Sequence, residues 1–214
     1  MKQLSVLLSL LVLITISSNA QIKKGSTLLG VDIGFGSGTY KSDYSGTETK
    51  SSNSGFNSSL TLGKAVKENL FIGGRFSFAT NKTENISQAK QTSKLYGVSV
   101  WSRKYFPVSK TFYAFVDGSV YGNIGNNNIN GSSTKTNTFG TGISIYPGVS
   151  LQLTKSFYLD ASLNNLANIY YNHSSGKQPN GSGGTITETS NSYGFSTSLG
   201  NNNNPLQLGM KWIF

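Results

Sequence analysis

From about residue 27 onward, apolar residues recur at every second position, not at the three-to-four spacing of a helix. Such alternation puts successive side chains on opposite faces of an extended chain. The stretch 139–153 shows it best. Phe139, Ile143, Ile145, Val149, Leu151 and Leu153 share one face, while Gly140, Gly142, Ser144, Tyr146, Gly148, Ser150 and Gln152 share the other. Pro147 falls on the apolar face and predicts a bulge or a missing ladder bond, because proline has no N–H to donate. Seven further segments alternate in the same way, near 27–40, 56–64, 69–80, 93–106, 111–122, 156–170 and in the stretch ending at Phe214. We read 191–214 as one long final strand with an irregular middle at Asn201–Pro205, not as a separate hairpin. The total is eight strands.

The connections alternate too. Short turns are expected at 65–68, 107–110 and 154–155, and long polar loops at 41–55, 81–92, 123–137 and 171–190. Short turns at one end and long loops at the other are the connectivity of an up-and-down antiparallel barrel in an outer membrane. A soluble β-sandwich would also alternate, and here composition enters. Charged residues make up 12% of the chain, against about 25% in ordinary soluble domains. The polar strand faces carry Gly, Ser, Asn, Thr and Tyr, and few Lys or Glu. The charges within strands, Asp32, Arg75, Arg103, Asp117, Asp160 and Lys211, all fall on that polar face. Three acids and three bases pairing across a narrow lumen would offset the cost of burying them.

Aromatics gather at strand ends. Tyr105, Phe106, Phe112, Phe157, Trp212 and Phe214 lie towards the turns, and Phe35, Tyr40, Phe78, Tyr121 and Tyr170 towards the loops. They predict girdles at the two membrane interfaces. The fold class expected is therefore all-β, an eight-stranded antiparallel up-and-down transmembrane β-barrel whose interior is filled by side chains.

A mean hydropathy of −0.23 excludes a helical membrane protein. The absence of Cys among the 214 residues excludes disulfide scaffolds, thiol catalysis and Cys-based zinc sites. Residues 1–20 combine Lys2, an apolar run from Leu4 to Ile16 and the small residues Ser18 and Ala20, the pattern of a secretory signal peptide cut before Gln21. The division expected is a signal peptide at 1–20 and a barrel domain at 21–214.

The opening Lys24-Gly25-Ser26-Thr27-Leu28-Leu29-Gly30, the Arg103-Lys104-Tyr105-Phe106-Pro107 turn entry and the terminal Met210-Lys211-Trp212-Ile213-Phe214, with the signal peptide, resemble the small outer-membrane β-barrel domain proteins of Gram-negative bacteria. The resemblance covers essentially the whole mature chain. It implies a porin-like cell-envelope protein located in the outer membrane. It also implies that Trp212 and Phe214, closing an alternating strand, form the assembly signal read by the barrel-insertion machinery. The Asn-rich break at 201–204 and the inward Trp101 depart from the family pattern.

Candidate chemistry is sparse. The single histidine, His173, stands beside Ser174 and Ser175 with no acid nearer in sequence than Glu188, which falls short of an oriented nucleophile and base. No catalytic, cofactor-binding or metal site is assigned, and no cofactor is called for. The formal charge of +10 is the kind of excess that nucleic-acid binders carry. Here, though, Lys41, Lys50, Lys82, Lys90, Lys94, Lys135 and Lys177 lie on the loop side, where anionic lipopolysaccharide headgroups are the expected partner, not nucleic acid.

The expectation is a monomeric, non-enzymatic outer-membrane barrel, with lipid and lipopolysaccharide around it, acting in structure or surface interaction through four long polar loops. An extracellular ligand at the loops is left open. The alternatives are a narrow porin-like channel for small solutes, a membrane-embedded lipid hydrolase or acyltransferase, and a soluble β-sandwich.

Overall fold

The computed structural model describes residues 21–44, 47–85, 88–129, 135–163, 166–179, 185–197 and 206–214. The expected leader at 1–20 and the break at Asn201–Pro205 lie outside the described residues. Ten strands form: β1 (Thr27–Tyr44), β2 (Thr47–Lys67), β3 (Leu70–Asn85), β4 (Gln88–Pro107), β5 (Phe112–Ile129), β6 (Lys135–Gln152), β7 (Phe157–Leu163), β8 (Ala167–Pro179), β9 (Thr185–Ser196) and β10 (Leu206–Ile213). Each of β1 to β6 pairs antiparallel with the next; β6 pairs with β7, β7 with β10, and β10 with β1. The ring thereby closes.

Ten strands make eight staves because two staves are interrupted. Near the turns β6 pairs with β7, from Gly148↔Ser162 to Gln152↔Tyr158, and farther along it pairs with β8, from Ile145↔Ala167 to Lys135↔Lys177. The change of partner falls at Pro147, which can give no N–H to a ladder. β9 lies against β8 and β10 against β7, so β9 and β10 occupy the last stave. The β1–β10 ladder runs from Leu28↔Ile213 to Ile33↔Leu208. From Gly34 outward β1 pairs with β2 alone among the described residues.

The four stretches expected as long loops prove to be mostly strand. Pairing persists to Tyr44↔Thr47, Asn85↔Gln88, Asn128↔Lys135 and Pro179↔Thr185. Crossing a bilayer takes about 9–11 residues of tilted strand, whereas β2 has 21 and β4 has 20. The surplus stands outside the hydrocarbon as four projecting hairpins. Loss of apolar alternation in these stretches marks where lipid ends, not where pairing ends. Their Thr residues favour extended backbone, and Pro179, at the end of β8, is their one proline.

The outward face is apolar and open. Leu60, Leu62, Phe76, Val98, Val100 and Val120 each expose half or more of their surface, far beyond what a soluble monomer displays. Inside, the turn end is packed shut. Phe71, Tyr105, Tyr113, Phe115 and Tyr158 form a buried cluster with Leu28, Ala65, Trp101, Ile213 and Ile22. Ile22 precedes the first strand and is pinned across the opening. Asn69 donates its backbone N–H to the Ile22 carbonyl and accepts the Ile22 N–H on Oδ1 at 2.9 Å. Asn69 sits in the left-handed region at φ 58°, which asparagine tolerates better than most residues.

Three residues expected in the girdles from their place at strand ends carry the inward parity of their strands instead: Tyr105, Tyr121 and Tyr170. Tyr170 stands two positions after Asn168 on β8 and opposite Gly142. Tyr105 and Tyr121 point into the barrel: Tyr105 is fully buried, and the Tyr121 hydroxyl donates to Asn168 Oδ1 at 3.1 Å. Both share the inward parity of Arg103 and Asp117 on their strands. On the outside, Phe35, Phe56, Phe78 and Tyr96 make a continuous band, with successive ring centroids 5.2, 6.5 and 5.1 Å apart.

Gly73 faces inward at a close approach of β2 and β3, where a Cβ would lie 1.9 Å from the Leu62 carbonyl oxygen; its neighbour Gly74 has open space. Gly73→Val should abolish the folded, fast-migrating form seen on gels of unheated detergent-extracted protein. Gly74→Ala should leave it intact.

The lumen as candidate functional site

Strand alternation aims the odd residues of β3, β4 and β5 and the even residues of β1 and β7 into the barrel. Arg103 and Asp117 are direct cross-strand partners. The Arg103 guanidinium is the hub. Nε and Nη2 donate to the two Asp117 oxygens at 2.6 and 2.9 Å, while Nη1 donates to Asp160 Oδ2 and, at 3.0 Å, to the Tyr105 hydroxyl. Its carbon lies 3.7 Å from the centroid of the Phe115 ring, a stacking that a weakly hydrated, planar cation favours. Ser150 completes Asp160 by donating to Oδ1 at 2.6 Å.

Arg75 enters from β3. Its Nη2 donates to Asp117 Oδ2 at 3.0 Å and its Nε to Thr61 Oγ1 at 3.3 Å. The Trp101 ring lies beneath both guanidinium groups, 5.7 and 6.0 Å from their central carbons, and donates its own N–H to the Gly74 carbonyl at 3.0 Å. The third cation, Lys211 of β10, is fully buried and bonded to Asp32 of β1, whose other oxygen accepts from Ser59 at 2.9 Å. This pair bridges the two strands that close the ring. Room for it comes from Gly209, where a Cβ would lie 2.1 Å from Asp32 Oδ1.

All six charged residues singled out in the sequence thus meet inside the barrel, in four ion pairs carrying three positive and three negative charges. Alternation could have found the aromatic floor beneath them as well. Phe71 and Phe115, within the segments 69–80 and 111–122, have the parity of Arg75 and Asp117 but stand among apolar neighbours. Trp212 and Phe214 face outward at the opposite end from the hairpins, with Trp212 against Phe157 at 5.1 Å.

Outside the membrane-spanning part, a hydrogen bond and charge from Lys90 hold the Glu84 carboxyl below the usual carboxylate range. His173 has its Nδ1 2.8 Å from Asn191 Oδ1, an oxygen that also accepts from the Tyr171 hydroxyl. Neither contact supplies the carboxylate that orients a catalytic histidine. Among the described residues no group of three or more His, Asp or Glu could hold a metal ion.

A closed antiparallel ring with an apolar exterior, a charged but neutralised interior and short turns at one end defines an outer-membrane β-barrel. The chain belongs to the outer membrane protein beta-barrel domain family, whose family model matches residues 7–214, and it resides in the outer membrane. Among solved structures it is similar to the outer membrane protein OprG from Pseudomonas aeruginosa, at 13% identity and a TM-score of 0.53, with 90% of this chain and 97% of that one covered. Neisserial surface protein A (NspA) matches at 17% identity and a TM-score of 0.45, covering 89% and 98%. No curated protein matches the chain.

Removing one partner of a buried ion pair strands the other, at a cost of about 3–5 kcal/mol. Arg103→Ala should lower stability by that amount in denaturant titrations of the refolded barrel. The double variant Asp32→Leu with Lys211→Met should lie closer to wild type than either single variant.

Proposed function

We propose that the protein is a monomeric, non-enzymatic barrel with a sealed lumen, serving envelope structure and surface interaction through its four hairpins. The observation that carries this reading is the pairing of every lumenal ion above an aromatic floor. Eight staves leave an interior that side chains can fill, and here Arg103, its two carboxylates and the ring cluster fill its turn-side part. Among the described residues the side-chain contact of His173 is to Asn191 and not to a carboxylate, which argues against a hydrolase or acyltransferase.

The surface role is supported by the lysines. Lys135 stands directly opposite Lys177, and both lie on the outward face of the hairpins. Like charges directly across a ladder repel, and an anionic surround relieves that repulsion. The phosphates of lipopolysaccharide are such a surround. Trp212 and Phe214, outward on the last strand, fit a terminal signal for the insertion machinery.

The decisive test is conductance in planar bilayers. The refolded protein should insert without opening steady single channels; reproducible ohmic channels from the wild type would contradict the sealed lumen and favour a narrow porin.

A further inference from the structure

Above the ion network, on the hairpin side, the lumen is not filled. A cavity of about 250 Å³ is walled mostly by Ser, Asn, Gly and Tyr residues of β2 to β6, with Phe78, Ala79 and Leu95 among them and Gln207 of β10. At roughly 30 Å³ per water in the liquid, it has the capacity of about eight waters, enough for a solute the size of a single sugar. Its walls present hydroxyls and amides from Ser77, Ser99, Ser119, Asn57 and Asn123, and a single charged residue, Arg75.

Arg75 is unlike the other lumenal cations. Arg103 spends all three of its guanidinium nitrogens on protein acceptors, and Lys211 is fully buried against Asp32. The hydrogen bonds of Arg75 use Nε and Nη2 and none uses Nη1, and its side chain, which lines the cavity, keeps 14% of its surface exposed. No acid stands in the cavity wall itself; the carboxylate paired with Arg75, Asp117, lies outside that lining and is shared with Arg103. A fixed guanidinium nitrogen at the foot of such a well can donate a charge-assisted hydrogen bond to one carboxylate oxygen.

We infer that this well is a binding site for a small monoanionic polyol, a sugar acid or hydroxy acid, entering from the cell exterior with its carboxylate on Arg75 and its hydroxyls on the serine and asparagine walls. The site deepens the surface-interaction reading and uses the sealed floor as its base. Its ligand enters and leaves by the same end.

The chain supplies its own reporter. Trp101 lies beneath Arg75, and the only other tryptophan, Trp212, faces lipid. In a Trp212→Phe background, emission therefore reports Trp101 alone. Titration of the refolded barrel with D-glucuronate should change that emission saturably, and D-glucose, lacking the carboxylate, should bind at least tenfold more weakly. Arg75→Gln should remove the preference for glucuronate. Should that variant not fold, Ser77→Leu fills the well while leaving the ion network in place, and should abolish the response. No saturable change with glucuronate, an equal response to glucose, or an undiminished response in Ser77→Leu would each overturn the site. Bilayer conductance is read separately, so a leaky floor and an empty well are distinguishable results.

Discussion

Nothing in a bilayer's hydrocarbon core can hydrogen-bond a backbone N–H or C=O, so every such group must find its partner within the protein. That requirement forces this chain into a closed ring. Closure in turn sorts the side chains, since alternation leaves one set in lipid and the other in a narrow interior. The apolar set, from Leu60 to Val120, needs no partner outside but lipid. The inward set has no bulk solvent, so each charge there must be answered by another. Neutrality of the lumen thus follows from ring closure.

The strand that closes the ring illustrates the coupling. β10 is eight residues long and must hold β1 and β7 together. The Lys211–Asp32 pair joins it to β1 from inside, with Ser59 of β2 drawn in. Arg103 gathers carboxylates from β5 and β7, and Arg75 adds β3. The polar core spans much of the ring's circumference, as a hydrophobic core would in a soluble domain. Beneath it the aromatic cluster and Ile22 shut the turn end; above it the interior stays open and polar. That asymmetry is the basis for reading the barrel as a cup, closed at the turn end and open at the hairpin end.

Much of this was legible from residue parity. The period of two located the staves, and the common parity of Asp32, Arg75, Arg103, Asp117, Asp160 and Lys211 put their charges on one face. Pro147 announced a bulge or a missing ladder bond on β6, and the structure changes partner there. Parity was less informative where apolar residues face inward, because a phenylalanine in lipid and one in the lumen are the same letter. Phe115 and Tyr105 were hidden for that reason. The hairpins were misread because hydrophobicity reports the depth of the membrane, whereas strand pairing depends on backbone hydrogen bonds that continue into water. The cavity over Arg75 depends on side-chain volumes from five or more strands, a sum that no single segment carries.

In the reading proposed above, the lumen is closed at the level of the ion network. The chain has no cysteine, so single cysteines can map access directly with a membrane-impermeant thiol reagent. Ser77 lines the open well, whereas Ser150 is fully buried beside Asp160. On the folded barrel, Ser77→Cys should react readily and Ser150→Cys should resist the reagent until the protein is unfolded. Equal labelling of the two positions in the folded state would contradict a closed lumen.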